Sequence, residues 1–392
     1  MTNPRITGLL ATNIFLSGAA FAAMNPYRAI VGVETLGLSN AAFGLIMALN
    51  ALGGSAIAVL LGWLSDKVQD RRLLVLLCAI GGALGFVLVW AVRTPVGFAT
   101  ALCLLVPFGN ALFSQSFSYS RAFFDRERAD KSQLLMSLLR SVFAVAWIVT
   151  PPLAGWLAAR SSVYAVFGIS AVAHVGCTLA IALLWSQEGS AIGVDRTAPQ
   201  TLPPARIATG HRLGAFGVAL SMIALQLNIS VLPLVIVSDL GGTLGQVGIN
   251  FAVAAAIEVP VMIGWGYLAL RWRKESILSL ACFVFAVYFV LLTFADSFAH
   301  VLILQVPAAI AIAALLSINI SYLQEAIPGR VGLSTSLVDV TNVVAALSAA
   351  AIFAANPWQT YVPLMGMASV LCVAGSIALS VAAKVTPEET AK

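Results

Sequence analysis

The sequence predicts an all-α integral membrane protein with twelve transmembrane helices in two pseudo-symmetric six-helix bundles. Three observations carry that reading. The 392 residues are 60% hydrophobic and only 9% charged, against roughly 25% charged in an ordinary soluble domain. Apolar runs long enough to cross a bilayer recur along the chain. One polar stretch divides those runs six and six. Sixteen acidic and twenty-one basic side chains cannot cover a soluble globule of this length. Soluble enzyme, disordered chain and nucleic-acid binder are therefore excluded, and the lipid bilayer is the partner that solvates most of the surface.

A spanning helix needs roughly 20 mainly apolar residues. The runs lie at 6–33, 41–64, 73–92, 96–119, 134–159, 163–185, 213–237, 244–270, 277–295, 298–323, 333–355 and 361–383. They do not alternate as the strands of a membrane β-barrel do. The first run is too long for a signal h-region and has only Arg5 before it, so it reads as a retained first helix. An even number of spans puts both termini on one side. Seventeen of the twenty-one bases fall at the matching set of ends; Arg93 and Arg160 fall in the opposite loops, Arg28 near that end of helix 1, and Arg140 within helix 5. The positive-inside rule then places both termini in the cytoplasm. The net charge of +5 follows from that bias and calls for no nucleic acid. Five cysteines scattered over five apolar runs contain no CxxC, and the three histidines lack a local ligand motif. No metal, cofactor or disulfide framework is read from them.

The one long polar stretch, 187–212, holds three prolines and three glycines and has no helical period, so it reads as a cytoplasmic linker between bundles at 1–186 and 213–392. The symmetry invites a search for a repeat. A shift of 204 residues lays Gly37, Gly44 and Gly62 on Gly241, Gly248 and Gly266, and Lys67 on Arg271. A shift of 203 lays Ser118 and Tyr119 on Ser321 and Tyr322. The near-constant offset points to duplication.

Two parallel six-helix repeats are the plan of the major facilitator transporters. The loop between helices 2 and 3 reads GWLSDKVQDRR at 62–72. It resembles that superfamily's inner-loop motif, Gly-x-x-x-Asp-(Arg/Lys)-x-Gly-(Arg/Lys)-(Arg/Lys), with the second glycine missing and Asp70 added. The resemblance implies a gating role for Asp66, Lys67, Asp70, Arg71 and Arg72: an acid at a positive helix end within reach of arginine makes a breakable latch. An ordinary charged turn is the plainer reading. The second copy, GYLALRWRK at 266–274, lacks the acid. Further strings narrow the likeness: Arg140 followed by WIVTPPLA at 147–154, Glu258-Val-Pro260, and QEAIPGRVG at 324–332. Together they resemble the bacterial sugar efflux transporter family, from about helix 1 through helix 11. That resemblance implies export of sugars or glycosides in exchange for protons, with a small sugar and protons as partners and the chain acting as a monomer.

Polar groups inside spans are costly, so they are the site candidates. Glu258 sits midway along helix 8 and Asp339 about two turns into helix 11. Either can serve as proton carrier, since a carboxyl in a low dielectric exchanges its proton near neutrality. A structural tie or a direct substrate ligand are the alternatives for Glu258, and helix capping or pairing for Asp339. Arg140 either contacts substrate or gate, with Asp339 and Glu258 as candidate acids, or snorkels to lipid phosphates. Arg28 and Glu34 form an outer-gate pair or a solvated helix end.

Sugars need many hydrogen bonds and a flat apolar surface, which amides and aromatics supply. Helices 1, 4, 7 and 10 chiefly line the cavity of major facilitators, and helices 2, 5, 8 and 11 also contribute. The substrate candidates are therefore Asn25 and Tyr27 on helix 1; Asn110, Gln115 and Tyr119 on helix 4; Arg140 and Trp147 on helix 5; Gln226 and Asn228 on helix 7; Asn319 on helix 10; and Asn342 on helix 11. Asn110, Ser114 and Ser118 recur every four residues, making one polar stripe. Each amide has an equal claim to be interhelical glue. Tryptophans near helix ends, Trp265 among them, read as an interfacial belt. No nucleotide, zinc-protease or acid-cluster motif is present, so the chain is not read as an enzyme or an ATP-driven pump. A drug or metabolite exporter of the same fold is the near alternative, and a non-transporting membrane sensor the distant one.

Overall fold

A computed structural model describes residues 4–65, 67–68, 70–193, 209–326 and 331–390. Among these, twelve helices are long and apolar enough to cross a membrane: α1 (Pro4–Met24), α2 (Asn40–Leu64), α3 (Arg72–Val92), α4 (Pro95–Arg128), α5 (Ser132–Arg160), α6 (Ala165–Leu184), α7 (Thr209–Asp239), α8 (Leu244–Leu268), α9 (Lys274–Leu292), α10 (Phe298–Glu325), α11 (Leu337–Ala354) and α12 (Val362–Val385). The described residues contain no strand. The protein is thus a multi-pass membrane protein, and each predicted run overlaps one of these helices.

The first run departs from a single rod. Asn25-Pro26-Tyr27 forms a turn after α1, and the chain resumes as a π-helical stretch over Ile30–Thr35. Proline has no N–H to give and its ring clashes with the preceding turn, so Pro26 ends the α-helical ladder. The end of α7 has the same form. Its last turn, Val235–Asp239, is π-helical. Leu36 N–H bonds Val31 O and Leu240 N–H bonds Val235 O; Leu38 N–H bonds Gly32 O and Gly242 N–H bonds Ile236 O. Gly37 and Gly241 follow with φ of 65° and 66°, a left-handed conformation that a Cβ disfavours. Ser39 and Thr243 then cap α2 and α8. All these pairs stand 204 residues apart, so the offset read from the sequence is also a repeat of backbone conformation.

The chain divides into two compact units. One is built on α1–α6; the other is built on α7–α12 together with Ser39–Leu45, the cap and first turns of α2. Within the first, α1 and α3 both pack on α6, α3 packs on α4, and α1 on α5. Within the second, α7 and α9 both pack on α12, α9 on α10, and α7 on α11. The two lists are the same list moved by six helices. The first unit's core gathers Ile6, Leu10 and Ile14 of α1, Leu74 and Cys78 of α3, Leu112 and Phe124 of α4, and Cys177 and Ile181 of α6. All five cysteines are free, and among the described residues no cluster of three or more His, Cys, Asp or Glu is placed to hold a metal ion.

Candidate functional site

Exposed apolar stripes identify the lipid-facing side of each peripheral helix. On α5 the stripe is Leu134, Leu138, Val145, Val149, Leu153 and Trp156. Arg140 is nine residues before Val149, and Trp147 is nine after Leu138 and nine before Trp156. At about 100° per residue, nine residues is half a revolution. Arg140 and Trp147 therefore share the side of α5 turned away from lipid, where Arg140 is exposed and Trp147 half-buried. On α8 the exposed stripe runs through Ile249, Ile263 and Tyr267. Glu258 is nine residues from both Ile249 and Tyr267, so it too points away from lipid, and it is half-buried. On α11, Val340 and Val344 are exposed to the apolar side. Half-buried Asn342 lies opposite them, while exposed Asp339 lies about a third of a turn round the helix from Val340.

The amides of the first unit divide between structure and accessible face. Asn50 Nδ2 donates to Leu102 O (2.5 Å), and Asn110 Nδ2 donates to Asn50 Oδ1 (3.3 Å), tying α2 to α4. Asn13 Nδ2 donates to Ser116 Oγ (2.8 Å), tying α1 to α4. Tyr27 is buried and its hydroxyl reaches Pro151 O at 3.3 Å. Asn25 and Arg28 are half-buried, and Glu34 is exposed. On α4, Ser114, Ser118 and Arg121 are exposed and Gln115 is half-buried. The stripe read from spacing thus keeps its two serines on the open face, while Asn110 turns partly into the α2 seam.

In the second unit Gln226 and Asn228 separate. Asn228 is buried and accepts from Tyr288 O–H (2.9 Å); Gln226, about 200° away on α7, is half-buried. Asn319 is buried within α10. Trp265 is not in an interfacial belt: it is 8% exposed and donates its indole N–H to Ile310 O at 2.9 Å. It faces α10 because α8's exposed stripe lies on the other side.

At the basic end of the first unit, the segment taken as linker starts as a docked strap. Ser190 and Ile192 are buried. Arg72 Nη1 donates to Ser190 Oγ (2.6 Å) and Leu184 O (3.1 Å), and Arg72 pairs with Asp70 at 2.6 Å. Tyr119 O–H donates to Ser190 O (2.5 Å), Arg71 N–H to Ile192 O (3.2 Å), and Arg126 to Ala191 O and Gly189 O. Arg72 also lies over the Trp185 ring at 4.9 Å. Lys67 lies over Trp63 at 3.4 Å; Asp66 is outside the described residues. Tyr119, read as a sugar ligand, spends its proton on the strap. The second unit repeats this cluster at a shift of 203 with the signs exchanged. Arg273 and Glu275 stand where Asp70 and Arg72 stand, 3.5 Å apart, with Tyr322 for Tyr119. Arg273 donates to Ala383 O near the end of α12, as Arg72 does to Leu184 O at the end of α6. Leu184 is the last residue of α6, where carbonyls lack intrahelical partners, whereas the helix that holds Ala383 runs on to Thr390.

Two features escaped the sequence reading. His174 is buried where α3, α4 and α6 meet, with Nδ1 3.0 Å from Ser170 O. A Cβ on Gly82 would lie 2.3 Å from its ring, and one on Gly109 3.1 Å from it. Those glycines were the available signal. The second feature is a cluster of Phe113, Phe117 and Phe143 between α4 and α5. Phenylalanine is so common in spans that nothing marks these three by type.

Twelve spans in two six-helix units that repeat each other's packing define a multi-pass membrane protein of duplicated design. The sequence profile of the Major Facilitator Superfamily matches residues 10–211 and 214–392, and the chain belongs to that superfamily. Sugar efflux transporter C of Escherichia coli is 28% identical over 331 residues, covering 84% of each chain. Sugar efflux transporter A of the same organism is 27% identical over 328 residues, covering 82% of each. Sugar efflux transporter B of Salmonella typhimurium is 28% identical over 331 residues, covering 84% of this chain and 83% of its own. Among solved structures, the POT family transporter PepTSo superposes with a TM-score of 0.80 at 10% identity over 98% of both chains. A peptide transporter POT bound to sulfate gives 0.81 at 12% identity over 97% of this chain and 95% of that one. At such identities these two speak for the fold alone.

Proposed function

We propose that this chain exports sugars or sugar-like glycosides across a bacterial inner membrane, exchanging them for protons by alternating access of its two six-helix halves. The observation that carries the reading is the placement of Arg140, Trp147 and Glu258. An arginine, an indole and a carboxylate each sit half a revolution from the lipid stripe of their helix. Charged groups so placed mark substrate and proton pathways. The similarity to sugar efflux transporters, over 84% and 82% of the chain, supplies the substrate class. Glu258 is the proton carrier and Asp339 the second candidate. Arg140, with its five donors, takes sugar hydroxyls, and Trp147 packs on the sugar ring. Gln115, Gln226, Asn342 and Asn25 are the amides still accessible to a ligand. The basic ends of the spans, and both termini, face the cytoplasm.

Proteoliposomes with an imposed proton gradient and a panel of labelled sugars test this. Gradient-driven sugar movement is expected, and Glu258→Gln is expected to abolish its coupling to the gradient. Wild-type movement indifferent to the gradient would leave a uniporter. No movement of any sugar would shift the reading to a drug or metabolite exporter.

A further inference from the structure

We propose that Phe113, Phe117 and Phe143 form an aromatic shelf that receives the apolar face of a pyranose ring and makes the protein select cyclic sugars over open-chain polyols. The inference rests on the sugar-export reading and deepens it.

The three rings form one cluster. Phe113 and Phe117 have centroids 4.6 Å apart at 49°, and Phe113 and Phe143 are 4.8 Å apart at 64°. The rings therefore make a corner rather than a flat stack, with Phe113 as its open wall at 38% exposure. Phe117 and Phe143 are half-buried and backed by the unit's core. Phe143 is further fixed by α1, where a Cβ on Gly18 would fall 3.0 Å from its ring.

The corner is not on a lipid-facing surface. On α4 the exposed neighbours of Phe117 are Ser114, Ser118 and Arg121, which recur at i, i+4 and i+7 and so share one polar face. On α5, Phe143 lies between Arg140 and Trp147 and two residues from Val145 of the lipid stripe, about 200° round the helix. An exposed aromatic ring with hydroxyls and a guanidinium on the same two helices matches the two sides of a pyranose. Its axial C–H face is apolar and packs on ring faces. Its equatorial hydroxyls project outward, toward Ser114, Ser118 and Arg140. An open-chain polyol of equal hydroxyl number has no such rigid face, so it gains nothing from the shelf.

The test uses the full-length protein in proteoliposomes, with counterflow of methyl β-glucopyranoside and of sorbitol as the two probes. Phe113→Leu, Phe117→Leu and Phe143→Leu are expected to raise KM for the pyranoside about three- to tenfold, the range of an aromatic stacking contribution. Their kcat and their handling of sorbitol are expected to stay at wild-type values. Phe113→Trp is expected to keep or lower KM. Leucine variants with wild-type KM for the pyranoside, or with equal losses for both probes, overturn the shelf while leaving sugar export standing. A wild-type protein that moves neither probe overturns the shelf, and one that moves no sugar of the panel overturns sugar export as well. Should Phe143→Leu fail to fold, Phe113→Leu decides, since that side chain is the exposed one.

Discussion

Replacing Arg72 with methionine keeps an unbranched apolar stem and removes the guanidinium with its five donors. Arg72 is 7% exposed, so its bonds are made largely out of water. The variant loses donation to Ser190 Oγ and Leu184 O and the 2.6 Å pair with Asp70. A hydrogen bond to a charged group contributes about 1.5–3 kcal/mol, and breaking a buried pair by removing one partner costs about 3–5 kcal/mol. Asp70 keeps partial access to water and recovers some of that, which places the total near the lower bound, about 3 kcal/mol. What remains on the strap is the Tyr119 bond to Ser190 O, the Arg71 N–H bond to Ile192 O, the Arg126 bonds and the burial of Ile192. The expected result is local release of residues 189–193, with an opening constant raised about a hundredfold. Hydrogen exchange followed by mass spectrometry on peptides spanning 186–193 reads this directly, with peptides of α9 as internal reference. Unchanged protection of the strap, or protection lost equally throughout α1–α6, would refute the claim that Arg72 anchors this segment in particular. Arg72→Lys is the companion: a single ammonium cannot replace the fork, so it should restore only part of the protection.

Arg140→Lys keeps the charge but not the planar donors; it should raise KM for sugars about tenfold while leaving thermal stability unchanged, as measured by counterflow and by a melting curve in detergent. Gly82→Ala should destabilise the first unit, because its Cβ would sit 2.3 Å from the His174 ring and 2.9 Å from Gly109 Cα. Overpacking of this kind costs about 1–3 kcal/mol. Adding His174→Ala to Gly82→Ala should recover part of the lost melting temperature, and a double variant no more stable than the single would show that the ring is not what the methyl meets.

Most of the fold was legible in the sequence because hydropathy is a one-dimensional property: a helix that must bridge about 30 Å of hydrocarbon needs its apolar residues consecutively. The repeat was legible for a related reason. Gly37 and Gly241 each occupy a left-handed turn, so the backbone itself demanded glycine at both copies. The break after α1 was visible in Pro26. The strap was not. Its prolines and glycines beyond residue 193 set the character of the whole stretch, and Ile192 alone gave no sign of the pocket it fills.

For the site, residue type singled out Glu258 and Arg140, because a charge inside a span needs a reason. Type could not separate Gln226 from Asn228. They are two residues apart on one helix, and only packing shows that Tyr288 takes the second and leaves the first accessible. The same holds for Tyr119, whose hydroxyl looks free for a ligand until Ser190 is seen beside it.

The sequence by itself determined the number of spans, the duplication and the few ionisable groups that lipid does not explain. Those follow from local requirements: length, backbone conformation and the cost of charge in hydrocarbon. Which side of a helix each polar group faces, and which groups already spend their hydrogen bonds on neighbours, was decided only by the tertiary structure. Those depend on what lies across a helix seam, often more than 50 residues away along the chain, and no local pattern records it.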